Sequence, residues 1–398
     1  MAPIYLDHAA TTPMRDCARE AWLEASTLLN PGGQYATGRR ARAALEQARE
    51  DIASLLDCEP IEVIFTASGT EADNIAIQGL YRASDSRRIV SSSIEHPAAL
   101  ETVRGLAAGA GAEVSWLPVS PSGMVGVGDT LDTPAALVSC MWANNETGAI
   151  QPISDVVSAA AGQATPVHID AVQAVGHIPV SFAQSGATTL AASAHKFGGP
   201  RGTGLLLTAR SPAPIGVLFG GGQERGIRPG TADVAGAVGT VAALKEAINE
   251  MDAEMQRVAA LRDQLRAGII SQVDDVIVHT PAEALPGHLH LSFPGAEGDS
   301  LIMLLDSLGF ECSTGSACSS GVNRASEVLL AMGVSEHDAR GAIRFTLGRT
   351  TTSDDVMALL AVIGDVVARA RVAGMAGEKS GESGRTFPPS SKCARTAF

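Results

Sequence analysis

Positive charge is in short supply: Lys and Arg number 29 against 43 Asp and Glu, a formal net charge of −14. An acidic chain repels phosphate backbones, so binding nucleic acid directly is not expected as its main task. A small anion can still be held where local backbone donors converge. Cysteine is scarce as well. Cys17, Cys58, Cys140, Cys312, Cys318 and Cys393 are scattered without a CxxC pair, which argues against both a disulfide framework and a zinc site. A reducing, cytoplasmic setting is expected, with any special cysteine a free thiol. There is no uncharged apolar run of about 18 residues, so no membrane span is expected. The opening stretch Met1–His8 has neither a basic region nor a long apolar core, and no secretory leader is expected. No internal repeat is visible.

What is there suits a chain with a sizeable core, one larger domain and one smaller. The chain has 398 residues, 45% of them apolar, more than one core usually serves. Ala41, Leu45, Ala48, Ile52 and Leu55 recur at helical spacing. Short apolar runs at 63–65, 88–90, 113–116, 136–138, 167–169 and 204–207 alternate with helical patterns. This predicts an α/β fold, a mostly parallel sheet flanked by helices. A long apolar-faced helix is expected over about 235–270. Beyond it His288–Phe293 alternates like a half-solvated strand. Helices near 297–308, 325–332 and 353–371 and a strand near 342–347 make a smaller α+β domain. The expected division is an N-terminal segment 1–20 packing with the small domain, a large domain 21–250, and a small domain 251–373 carrying the Cys318 loop. The tail 374–398, rich in Gly, Ser, Pro and Lys, is expected to be disordered and to have no catalytic part.

Four constellations carry chemistry. Thr66-Ala-Ser-Gly-Thr-Glu71 follows a strand and opens a helix. Ser68 and Glu71 have capping-box spacing, Gly69 admits close approach and Thr70 adds a hydroxyl; such a start suits phosphate, though it is also an ordinary helix cap. Asp170 ends an apolar strand, where ligands of open α/β sheets gather, and needs a cationic or donor partner. It could equally cap a helix. Lys196 follows small and apolar residues in Ser193-Ala-His195-Lys196; lost hydration would free its amine as a nucleophile, while a surface lysine would show the same pattern alone. Cys318 lies among Gly, Ser, Thr and Ala, as an accessible loop thiol would. Cys312, after a strand, reads as a packing residue. Phosphate-binding helix start, strand-end aspartate and lysine together match the phosphate, ring nitrogen and aldehyde of pyridoxal 5′-phosphate (PLP). His96, at another strand end, offers a flat ring to stack on the pyridine.

The ordered set Tyr5–Pro13, Phe65–Asn74, Glu95-His96, Asn144–Gly148, His168–Gln173, Ser193–Lys196, Gly220–Thr231, Gly315–Cys318 and Ile343–Arg349 resembles the cysteine desulfurases of the NifS/IscS-like group, within the class V aminotransferase-like PLP enzymes. The resemblance covers about residues 4–370. It implies a type I PLP-dependent transferase fold and a homodimer with sites at the subunit interface. By that likeness Lys196 holds PLP as a Schiff base, Asp170 pairs with the pyridine nitrogen, Gln173 bonds the ring hydroxyl and His96 stacks on the ring. Gly69, Thr70, Ser193 and His195 hold the phosphate, with Thr231 arriving from the partner subunit. Asn145 and Arg344 hold the substrate L-cysteine. Cys318 accepts its sulfur as a persulfide and alanine is released, with His96 carrying a proton. Sulfur acceptors such as an iron–sulfur scaffold or a tRNA-thiolation enzyme are the implied partners. Pro229 departs from the serine usual in the family's Arg-Ser-Gly-Thr motif, and the tail with Cys393 has no counterpart. Other readings are a selenocysteine lyase with the same cofactor and a cofactor-free sulfur carrier using Cys318. A metal site built from His96, His168, His177 and His195 is a further reading, but those residues lack tight ligand spacing, and no metal is expected.

Overall fold

The computed structural model describes residues 3–315 and 325–381, with side chains as far as Ala373. After a short β1 (Ile4–Tyr5) come β2 (Val63–Thr66), β3 (Arg88–Ser92), β4 (Glu113–Leu117), β5 (Leu137–Met141), β6 (Val167–Asp170), β7 (Thr189–Ser193) and β8 (Gly204–Thr208). β2 to β8 form one sheet in the order β2-β8-β7-β6-β5-β3-β4. Neighbours from β7 through to β4 are parallel, whereas β8 is antiparallel to both β7 and β2. β2 therefore points the same way as β7, and β8 is the one reversed strand of this sheet. The sheet is mostly parallel, as expected.

Helices α1 (Asp16–Ala25), α2 (Ala36–Leu55), α3 (Gly69–Ala83), α4 (Pro97–Ala110), α5 (Ile153–Ala161), α6 (Phe182–Ser185) and α7 (Val234–Gln272) accompany this sheet. β2, β5, β6, β7 and β8 are buried at every residue, which is why they read as unbroken apolar or small-residue runs rather than alternating ones. In α2 the stripe Ala41, Leu45, Ala48 and Ile52 faces the main core.

α7 begins where the Asp233 carboxylate accepts the Gly236 N–H at 2.9 Å, an ordinary N-cap. Its first half gives Ala237, Val241 and Leu244 to the main core; its second half gives Val258, Leu261, Leu265 and Ile269 to a second core with Leu289, Ile343 and Phe345. That second core lies around β9 (Ile277–Val278), β10 (His288–Ser292) and β12 (Ala342–Thr346), an antiparallel sheet with β10 in the middle. Strand β11 (Phe310–Glu311) pairs with β1. Helices α8 (Gly298–Ser307), α9 (Glu327–Ala331), α10 (Glu336–Arg340), α11 (Ser353–Leu360) and α12 (Ile363–Gly381) complete the described chain.

Four local expectations change. β7 was not among the expected strands, because Thr-Leu-Ala-Ala-Ser offers one large apolar side chain to the pattern. β10 is not half-solvated: all five residues are buried, since β9 and β12 flank it and its histidine face meets the rest of the molecule. His288 shows this directly, because its side chain fills the space beside Gly148, where an added Cβ would lie 2.6 Å from His288 Cβ. The helix expected over 353–371 is two helices, α11 and α12. The helical backbone also continues to Gly381, into the stretch expected to be unstructured.

Candidate active site

The parallel strands deliver their chemistry to one edge. β2 runs into Ser68–Thr70, β3 into Glu95-His96, β5 into Asn144-Asn145, β6 ends on Asp170, and β7 ends on Ser193 just before His195 and Lys196. Side chains at the C-terminal ends of parallel strands face the crevice where ligands of such sheets bind.

Lys196 is the centre of this edge. Its Nζ donates to the carbonyls of Ala9 and Ala10. Burial, aided by the Arg344 cation, pushes its pKa from 10.5 down to about 8, with Asp170 and Asp7 opposing. The segment after β1 closes over the site. Gln173 Nε2 donates to the same Ala9 carbonyl at 2.9 Å, His195 Nδ1 lies 3.1 Å from Thr11 Oγ1, and the Ala9 N–H donates to Thr346 Oγ1. His177 Nε2 donates to the Lys196 carbonyl at 2.9 Å, fixing the backbone that carries the amine.

Asp170 is buried, and one carboxylate oxygen accepts the Val172 N–H at 2.9 Å. Among the described residues its other oxygen has no hydrogen-bond partner. Burial pushes its pKa up, while His96, the Val172 N–H and Lys196 pull it down. That carboxylate could accept a further donor, and a protonated ring nitrogen would be one. His96 caps α4: its Nδ1 accepts the Ala98 N–H at 3.1 Å, so a neutral ring carries its proton on Nε2. Burial lowers the His96 pKa against the pull of Asp170.

The start of α3 fits a phosphate. Ser68 Oγ accepts the Glu71 N–H, and the Glu71 carboxylate reaches back to the Ala67 N–H. The first N–H groups of the helix, at Gly69 and Thr70, have no intrahelical acceptor. Gly69 also lies against the neighbouring strand ends. A Cβ there would stand 2.7 Å from Val172 Cγ2 and 3.4 Å from Ser193 Cβ. The residues present therefore fit PLP at each of its three handles: the helix start, the buried Asp170 carboxylate and the desolvated Lys196.

Arg344, on β12, reaches the same edge from the second core. Its Nη1 donates to the Asn145 carbonyl at 2.8 Å and its Nη2 to Asp7 Oδ1 at 2.6 Å, while its buried Nε has no partner among the described residues. Asp7 and the carbonyls of Ala9 and Ala10 are site groups that the sequence reading missed. The signal was present, since Tyr5–Pro13 belonged to the recognised set, but no charge pattern said what it would touch. Cys318 lies outside the described residues. The chain enters its segment at Gly315, where an added Cβ would be 3.4 Å from Glu146 Cγ, and resumes near Ser326, whose hydroxyl donates to Glu146 at 2.5 Å. Thr231 is exposed on a loop tied to α3 by Arg228 Nε and Glu71 at 3.1 Å. The four histidines weighed as metal ligands are bonded elsewhere: His168 to Asp73 and Thr189, and the others to Ala98, Lys196 and Thr11 as described.

The family model of class-V aminotransferases matches residues 4–359. The chain belongs to that family. Among its class-V relatives, an IscS-like cysteine desulfurase of Mycobacterium tuberculosis is 46% identical over 94% of this chain and 98% of its own length. A solved NifS-like protein superposes with a TM-score of 0.85 at 33% identity, covering 92% of this chain and 100% of the other. SspA, solved in complex with cysteine, gives a TM-score of 0.75 at 28% identity over 88% of this chain and 100% of its own. Among the described residues no helix is long and apolar enough to cross a membrane.

Proposed function

We propose that this protein is a PLP-dependent cysteine desulfurase, converting L-cysteine to L-alanine and passing the sulfur to Cys318 as a persulfide. The observation that carries the reading is the convergence of Lys196, Asp170 and the start of α3 on one sheet edge. The 46% identity to an IscS-like cysteine desulfurase supports the choice of substrate.

In this reading Gly69, Thr70, Ser193 and His195 hold the phosphate, Asp170 and Gln173 hold the ring, and Lys196 carries the aldehyde. Bound there, PLP supplies a sink for the electron pair that remains on the substrate α-carbon when its proton leaves. The protein supplies the rest. Arg344 holds the cysteine carboxylate and Asn145 flanks it. Lys196 Nζ, its pKa lowered to about 8, sheds its proton more readily than an exposed lysine and so can take the α-proton. His96 moves a proton at the substrate sulfur from Nε2. The Cys318 thiolate attacks that sulfur: an S–S bond forms, the C–S bond breaks with its electron pair left on carbon, and carbon takes up protons to leave as alanine.

The site is completed in a homodimer, where Thr231 of one copy meets the phosphate held by α3 of the other. The persulfide is then delivered to an iron–sulfur scaffold or a tRNA-thiolation enzyme. The test is direct. Purified protein with PLP should be yellow and should release alanine from L-cysteine. Lys196→Ala should lose the covalent visible band and the activity together, and Cys318→Ala should keep the band and lose turnover on cysteine. Full alanine release by Lys196→Ala would overturn the assignment, and full release by Cys318→Ala would remove the acceptor role.

A further inference from the structure

One buried cluster of titratable groups lies behind the site and takes no part in the scheme above. His168 and Asp170 stand two residues apart on β6, so their side chains leave the same face of the sheet. α3 packs on that face and contributes Asp73, one turn below Thr70. His168 Nε2 lies 3.1 Å from Asp73 Oδ1, and His168 Nδ1 lies 2.9 Å from Thr189 Oγ1 on the adjacent strand, directly in register. The side chains of His168 and Asp73 are 0% and 1% exposed, sealed from solvent. Among the described residues, His168 is the one hydrogen-bond partner of the Asp73 carboxyl group.

Three protonation patterns are compatible with heavy atoms so placed: an imidazolium facing a carboxylate, a neutral imidazole donating Nε2–H to a carboxylate, or a carboxylic acid donating to Nε2. Both carboxylate patterns place an ion in the core, and the second gives it a single neutral donor. They also set it beside Asp170 and Glu95, the two carboxyl groups that act on Asp73 electrostatically. Glu95 is itself buried, with one oxygen held by Ser92 and the Met141 N–H and the other without a partner among the described residues. Three carboxylates cannot share so small a dry region cheaply.

We propose that Asp73 is a carboxylic acid in the folded protein, donating its proton to Nε2 of a neutral His168 whose Nδ1–H is held by Thr189, so that Asp170 stands without a second charged carboxylate behind it. Burial supports each part: it holds His168 neutral to about pH 3 and pushes the Asp73 carboxyl well above its usual range, with Asp170 and Glu95 adding to the push. Asp73 and His168 are thus positioning residues. They fix β6 against α3 beneath the helix start and leave Asp170 free to hold its charge for a cationic ring. The consequence for the ring rests on the proposed cofactor role of Asp170; the protonation pattern does not.

The first test uses the unmodified chain without cofactor. In protein labelled with 15N-histidine, the His168 signal, identified by its loss in His168→Gln, should be a neutral imidazole with its proton on Nδ1 across neutral pH. A proton on Nε2, or on both nitrogens, overturns the proposal. The second test uses the PLP-loaded protein. Asp73→Asn presents an amide donor to Nε2 and removes no charge, so the pH midpoint of the visible band should stay within about half a unit of the parent. A larger shift means that a carboxylate was removed and overturns the proposal. If the chain takes up no PLP at all, the functional reading fails while the histidine signal still decides the protonation.

Discussion

Arg344 and Asp7 form an ion pair at 2.6 Å that ties β12 to the segment leading from β1 over Lys196. The Arg344 side chain is only 5% exposed, so the cation depends on this partner and on the Asn145 carbonyl. Asp7→Ala should therefore destabilise the protein by about 3 kcal/mol, the usual cost of stripping one partner from a buried pair. Asp7→Asn, which keeps an acceptor, should cost less. Denaturant titration at neutral pH measures both. Arg344 is also the proposed carboxylate grip, so saturating L-alanine should restore more stability to Asp7→Ala than to the parent. An Asp7→Ala protein within about 0.5 kcal/mol of the parent would show that the pair contributes nothing.

Lys196 makes stability depend on pH in a definite direction. Its pKa falls from 10.5 in the unfolded chain to about 8 in the folded one. Between those values the unfolded chain holds a proton that the folded chain has released, so stability of the cofactor-free protein rises with pH across the window. The rise attributable to Lys196 is at most about 3 kcal/mol. Lys196→Met should lack it. The difference between the two proteins, followed by denaturation from pH 7 to 10, removes the contributions they share. Parallel curves would mean that the amine is not desolvated. Covalent capture of PLP by the parent should also quicken with pH and level off above about 8.

The residues legible in advance were those whose chemistry is local. The helix start at Ser68–Glu71, the strand-end Asp170 and Lys196 each announce themselves within a few neighbours, and the three handles of the proposed cofactor would explain why they occur together. Relationships that need the tertiary fold were not legible. Asp7 meets Arg344 across most of the chain, and no spacing rule links a loop carboxylate to a strand arginine. The sequence alone does not single out Asp73, and it offers His168 only as a metal ligand and a motif residue; their pairing depends on α3 lying on β6. Burial of β10 was misread for the same reason, because alternation in a sequence reports two faces but not what covers the second one. β7 escaped because its fitness as a central strand lies in small side chains that let Gly69 approach Ser193, not in apolar bulk.

Gly69 should be replaceable only with its neighbour. An added Cβ would press on Val172 Cγ2 at 2.7 Å, and valine has little freedom to turn away. Gly69→Ala should cost about 1–3 kcal/mol and weaken PLP binding. Adding Val172→Ala in the same chain should recover most of both losses, a coupling that a double-mutant cycle reads directly. Additive losses would place the strain elsewhere.

His96 combines two duties that substitution can separate. Its Nδ1 caps α4 through the Ala98 N–H, and its ring is proposed to stack on PLP and pass a proton. Asparagine keeps a capping acceptor and discards the ring. His96→Asn should therefore hold stability within about 0.5 kcal/mol of the parent, while His96→Ala loses about 1 kcal/mol. Alanine release from L-cysteine should fall about 100-fold in both, because neither has an imidazole at the sulfur. Thermal unfolding and product assays on the two variants give the comparison. If His96→Asn keeps full alanine release, the imidazole does no more than cap the helix, and the proton must travel through another group at the sheet edge.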